Sequence, residues 1–282
     1  MRPLGAFVIA RLTFQEAARR RVLLAAVLLG VVFLAIYGAG VHFIHKDMKR
    51  ANQHLERATA VPIYNFLTLS GLYVVNFLTS ILTVLTSVAT ISGEIDSGTV
   101  QTLAAKPIRR WEIALGKWLG FAGMVALYLL MMAGGVLGVS RLLLDYSMPN
   151  AGRGLSLMLL NAVLLLNVTL LGGTRLSTLA NGVLVFAAYG VAVVGGWIEQ
   201  IGAFLGNQAA VTVGIVSSLL MPGEALWKRA AFEMRTVLAD ALPNNPFMSG
   251  FSVPSPLMVA YAALYATVAL MLVFWSFGRR DL

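Results

Sequence analysis

Polar and apolar positions alternate along this chain in long blocks. Six stretches carry no Asp, Glu, Lys or Arg: residues 22–41, 63–91, 118–140, 155–174, 176–198 and 256–278. Crossing the hydrocarbon of a bilayer takes roughly 20 apolar residues of helix. Each stretch therefore predicts a transmembrane helix, and the chain predicts an all-α, polytopic, single transmembrane domain over residues 1–282. Arg175 alone separates the fourth span from the fifth. A seventh apolar run, Gln200 to Gly223, is long enough to cross. It carries Gln200, Asn207, Gln208, Thr212, Ser217 and Ser218, with glycines at 202, 206 and 214. It is expected to re-enter or lie at the interface, within an extracytoplasmic region over 199–255. Ala225 to Leu238 then reads as an amphipathic helix, with Leu226, Ala230, Met234 and Val237 on one side. Its Trp227, Lys228 and Arg229 suit the headgroup layer, where it is expected to lie rather than cap a pathway mouth. The run after Arg21 is too long for a cleaved signal peptide's apolar core, and no small-residue site closes it.

Composition agrees with this pattern. Of 282 residues 59% are hydrophobic and 12% charged, with mean hydropathy +0.81. That leaves too little polar surface for a soluble single-core protein. The absence of cysteine excludes a disulfide scaffold, thiolate metal sites and a cysteine nucleophile. The net charge of +9 is scattered over loops on both faces, which fits topology and anionic lipid rather than nucleic acid. With both termini inside, 12 Lys and Arg fall on the inner side and nine on the outer. The inner loops are shorter, so this predicts cytoplasmic termini in a prokaryotic cytoplasmic membrane.

The spans themselves contain no charge, and that narrows the chemistry. Ion-coupled transporters usually carry Asp, Glu, His or Arg inside the bilayer. Intramembrane proteases need carboxylates or histidines there. Neither is expected here, so the chain is not expected to be an enzyme. A phosphate-binding loop of the G-x-x-x-x-G-K-[ST] form is absent as well; Gly116-Lys117 is followed by Trp118. Any ATP and Mg²⁺ would sit on a partner, and no cofactor or metal is assigned to this chain. His42, His45 and His54 share the first outer loop but match no ligand spacing. Within the second span Asn76, Thr79, Thr83, Thr86 and Thr90 recur every three or four residues, on one helical face. That stripe is either a substrate pathway at a dimer interface or interhelical hydrogen bonding. Asn161 and Asn167 read as packing contacts. Of the Gly-x-x-x-Gly pairs, only Gly134 and Gly138, inside the third span, are expected to pack helices.

The most informative stretch joins spans two and three: ISGEIDSGTVQTLAAKPIRRWEIALGKWLGF, from Ile91 to Phe121. Seven charges crowd the 24 residues from Glu94 to Lys117. Ser97 or Thr99 suits the cap of a short helix, and Lys106 before Pro107 ends it. Pro107 suits the first turn of the next helix, where Ile108, Trp111, Leu115 and Leu119 line one face. The product is a cytoplasmic elbow over 92–117 carrying exposed charge.

This stretch resembles the signature of ABC-2-type transporter permeases, with Glu94, Gly98, Thr99, Pro107, Arg110, Gly116 and Lys117 in matching places. It looks most similar to permeases of the copper-processing, nitrous-oxide-reductase maturation type. The segment with Arg11, Glu16 and Arg19 to Arg21 looks like that family's interface helix, and Arg279-Arg280 like its usual ending. The resemblance implies a six-helix permease that pairs with a second copy or a homologue in the lipid bilayer. It implies two ABC ATP-binding subunits docked on the elbow, where Glu94, Asp96, Gly98, Thr99, Pro107, Arg109, Arg110 and Lys117 would couple ATP hydrolysis to transport. Arg175 and Ser177 would form a second, minor contact. The expected function is ATP-driven export. The alternative is a membrane anchor or a transmitter of mechanical force, driven by the same partner.

Overall fold

The computed structural model describes residues 4–19, 21–51, 57–96, 110–236 and 252–279. The helices are α1 (Leu4–Arg19), α2 (Arg21–Ala51), α3 (Arg57–Asp96), α4 (Arg110–Leu144), α5 (Ala151–Gly173), α6 (Thr178–Leu205), α7 (Gln208–Leu220), α8 (Gly223–Glu233) and α9 (Pro256–Arg279). The described residues form no strand. Six helices are long and apolar enough to cross a membrane: α2, α3, α4, α5, α6 and α9. They coincide with the six charge-free stretches but overrun them. At 1.5 Å per residue, α3 with 40 residues is about 60 Å long and α4 with 35 about 52 Å. A hydrocarbon core is about 30 Å thick, so both project well beyond it.

α5 is the hub, packing against α3, α4, α6, α8 and α9. Its Leu164, Leu165, Leu166 and Leu170 are buried. Asparagines on or beside it fasten the neighbours. Asn161 Nδ2 donates to Asn76 Oδ1 on α3 at 3.2 Å. Asn167 accepts from the Trp118 indole of α4 at 2.6 Å and donates to the Ala266 carbonyl of α9 at 2.8 Å. Asn181 of α6 donates to the Thr169 carbonyl at 2.8 Å. In a membrane such amide bonds hold helices whose apolar faces would pack equally well against lipid. α2 lies at the rim, with Leu28, Val31, Val32 and Ile36 exposed.

α1 lies along the first half of α4. The contact depends on Gly120, where a Cβ would sit 2.8 Å from the Ala10 carbonyl oxygen and from Thr13 Cβ. Ala17 is buried in the same seam, while Phe7, Val8 and Leu12 face outward. α1 is thus an interface helix docked on the bundle. By contrast, Gly134 and Gly138 meet nothing within 4 Å in this chain. Within that span the close approach falls at the neighbouring Gly135, where a Cβ would sit 2.6 Å from Leu34 of α2.

After α6 the chain turns back. Gly206 adopts φ 71°, and its N–H reaches the carbonyls of Ala203 and Gly202. Asn207 then caps α7, accepting from the Ala210 N–H at 3.2 Å. α7 runs back along α6, with Gly214 against Glu199 and Ser217 against Gly195. At Met221 and Pro222 the axis bends by 108° into α8. α8 then returns along α5, from Gly223 beside Asn161 to Met234 beside Gly154. The α7–α8 pair therefore enters and leaves on one side, as a re-entrant element between spans five and six. α8 does not lie on headgroups as expected, since Ala225, Leu226, Trp227, Ala230 and Met234 are all buried. Tyr73 of α3, with its ring centroid 5.3 Å from that of Trp227, supplies the apolar partner that the local pattern could not reveal.

Candidate functional site

Two ends of the bundle carry its polar chemistry. At the first end lie the C-terminus of α3, the N-terminus of α4, the turn between α5 and α6, and the C-terminus of α9. Thr174 and Ser276, hydroxyl to hydroxyl at 3.0 Å, tie the last two together. Glu94 and Asp96 fall on the final turns of α3, and Arg110 opens α4; their side chains lie outside the described residues. So do Gly98, Thr99, Pro107 and Arg109, and with them the predicted short helix of the elbow. Arg175 is exposed on the α5–α6 turn. Ser177 caps α6 by accepting from the Ala180 N–H at 3.4 Å. Lys117 departs from the expected exposed charge: it lies within α4, only 7% exposed, and is already engaged.

The polar stripe of α3 runs between the two ends. Asn76, Thr79, Thr83 and Thr86 are all buried within this one chain, and the Thr90 side chain lies outside the described residues. Four hydroxyls turn back on their own helix: Ser80 to the Asn76 carbonyl at 2.8 Å, Thr83 to Thr79 at 2.7 Å, Thr86 to Leu82 at 2.7 Å and Ser87 to Thr83 at 2.6 Å. Asn161 crosses from α5 to meet the stripe. Two oxygens of this seam, Thr79 Oγ1 and Asn161 Oδ1, are buried without a hydrogen-bond partner.

The opposite end holds what the sequence did not show. The window drawn for the fifth span stops at Ile198, yet α6 continues to Leu205 and takes Glu199 into its apolar length. The expectation that the spans carry no charge is therefore corrected here. Glu199 is tolerated because it is paired: Lys228 of α8 donates to Oε2 at 2.9 Å, and the Ser252 hydroxyl bonds Oε1. The two side chains are 6% and 11% exposed. Glu224, one turn before Lys228, is 4% exposed. It fits because residue 196 is glycine; a Cβ there would lie 2.3 Å from Glu224 Cγ. Nearer the surface, Glu233 binds Arg229, approaches Arg153 at 3.7 Å and, through its carbonyl, accepts from Asn150 at 3.1 Å. A signal was available in Glu199 and Lys228, an isolated acid and base flanking the re-entrant run. Hydropathy alone could not join them.

His45 bonds the Tyr64 hydroxyl at 3.0 Å, and His54 lies outside the described residues. Among the described residues no cluster of His, Asp and Glu could hold a metal.

Compared with known proteins, residues 7–282 match the family model described as ABC-2 family transporter protein. No curated protein matches the chain.

Proposed function

This chain belongs to the ABC-2 family of transporters, and from that premise we propose that it is the permease subunit of an ATP-driven exporter. It is a multi-pass membrane protein whose family implies association with ABC ATP-binding subunits. In the proposed arrangement two copies, or this chain and a homologue, pair in the cytoplasmic membrane. The end bearing Glu94, Asp96 and Arg110 faces the cytoplasm and receives two ATP-binding subunits. The single observation that carries this is the length of α3 and α4. Both are unbroken helices that run from beyond the hydrocarbon through the bundle, and the charged elbow joins their projecting ends. A displacement applied there travels along the helix, because each turn is held by its own hydrogen bonds. The buried stripe is the wall expected to open. An unpaired buried hydroxyl or amide oxygen costs about 1–3 kcal/mol. Thr79 and Asn161 would recover that on hydration when α3 and α5 part.

The test is co-expression with a cognate ABC ATP-binding subunit. The double substitution Glu94→Gln with Asp96→Asn is expected to lower permease-dependent ATPase activity about tenfold or abolish assembly, as loss of charged contacts at an interface does. Membrane insertion should be unchanged. Wild-type ATPase coupling and transport in that variant would exclude the elbow as the docking site. A narrower assignment, to the copper-processing and nitrous-oxide-reductase maturation type, rests on the likeness of residues 94–117. Gene neighbours of that pathway would support it.

A further inference from the structure

A cavity of about 440 Å³ opens between α3, α6 and α8, in the half of the bundle away from the elbow. Phe66, Tyr73, Trp197, Trp227 and Phe232 give it an aromatic wall. Glu224 lines it from α8. That carboxylate is more than nine-tenths buried and makes no hydrogen bond among the described residues. Lys228 also lines the cavity, but it is shared: it pairs with Glu199, which Ser252 completes, and its charge also acts on Glu224. Arg229 is likewise held by Glu233. Arg235 also lines the cavity, past the C-terminal end of α8, with its guanidinium 5.6 Å from the Phe232 ring centroid. The enclosed end is thus acidic and aromatic. Trp197 and Phe232 form a rim that is 48% and 39% exposed, and Trp197 continues the outward apolar face of Val194, Ile198 and Ile201. The opening therefore adjoins an outward face apolar enough to lie against lipid.

We propose that this cavity is a binding site for an organic cation with an apolar body, admitted from the bilayer, with its positive centre set against Glu224 between the Tyr73 and Trp227 rings. A buried carboxylate needs a positive partner, and aromatic faces attract the same charge. The volume lies in the range of pockets that hold drug-sized molecules. An anion is disfavoured on the same observations, since two carboxylates, Glu199 and Glu224, share the one cation Lys228 there. The site lies within one chain, so binding depends neither on a second copy nor on an ATP-binding subunit.

The experiment uses the purified full chain in lipid nanodiscs, with tetraphenylphosphonium as probe. Equilibrium dialysis and quenching of tryptophan fluorescence are read together, because Trp197 and Trp227 line the cavity. Saturable binding is expected, and tetraphenylborate, equal in shape and opposite in charge, should not compete. Glu224→Gln should weaken binding about tenfold or more, as loss of one partner of a desolvated charge pair does. Should that variant fail to fold, Phe232→Ala at the exposed rim is the second arm, expected to weaken binding several-fold with the melting temperature unchanged. Competition by tetraphenylborate, uptake that never saturates, or unchanged affinity in the variants that fold would each overturn the proposal. Loss of ATPase coupling in elbow variants leaves this assay untouched, so the two readings fail separately.

Discussion

At the scale of residues, the Glu199–Lys228 pair is the buried ion pair of the half of the molecule away from the elbow. Burying two charges is expensive, and the expense is offset only while both are present. Lys228→Met should therefore destabilise the protein by about 3–5 kcal/mol, the range for stranding one member of a buried pair. Glu199→Gln combined with Lys228→Met should recover most of that loss, because neither charge is then left alone. Thermal unfolding of the detergent-purified variants measures both. Equal melting temperatures for the single and double variants would show that the pair carries no such coupling. Gly206 is a second point of sensitivity. Its φ of 71° is a left-handed conformation, in which a residue with a Cβ loses roughly 1–2 kcal/mol. Gly206→Val should lower the melting temperature accordingly, while Gly138→Ala, with open space around the new methyl, should not.

At the scale of elements, α1 is held by one close approach. Gly120→Val should lift it from α4, since both a backbone oxygen and Thr13 lie within 2.8 Å of the new Cβ. Limited trypsin digestion at Arg11 should then quicken relative to wild type, with the six spans intact. Elements were also where the sequence spoke most clearly, and where it stopped. Charge-free windows located all six spans, because hydrocarbon tolerates little else over 20 residues. They misplaced the ends, because a charge with a partner does not end a helix. Glu199 shows this, sitting two turns before α6 finishes. The stripe Asn76 to Thr86 was legible as one face, but not what it faced; the answer, α5, depends on Asn161 arriving from 85 positions away. α8 misled for the same reason: its Trp, Lys and Arg suit headgroups until Tyr73 and Glu199 are placed beside them. The far cavity was invisible, as its walls come from three separated helices.

At the scale of the whole molecule, six spans and a re-entrant pair fix which loops share a side. The natural chain has no cysteine, so single cysteines report without background. Ser147→Cys, Asn207→Cys and Ser255→Cys should react with an impermeant maleimide from one side of the membrane, and Ser177→Cys only from the other. Labelling of positions 207 and 255 from opposite sides would turn the α7–α8 pair into a seventh span. The pairing across that re-entrant element also bears on how the protein is made. Lys228 follows Glu199 by 29 residues. At 5–20 residues per second, synthesis leaves α6 without its counter-charge for about 1.5–6 s. During that interval the helix enters the membrane with a bare carboxylate about two turns from its C-terminal end, and favours a shallow position that keeps this group in water. Only when α8 folds back does the helix gain a reason to sink to its final depth. A transcript that ends before codon 228 thus yields a protein with five of its six spans but no means of seating the last of them.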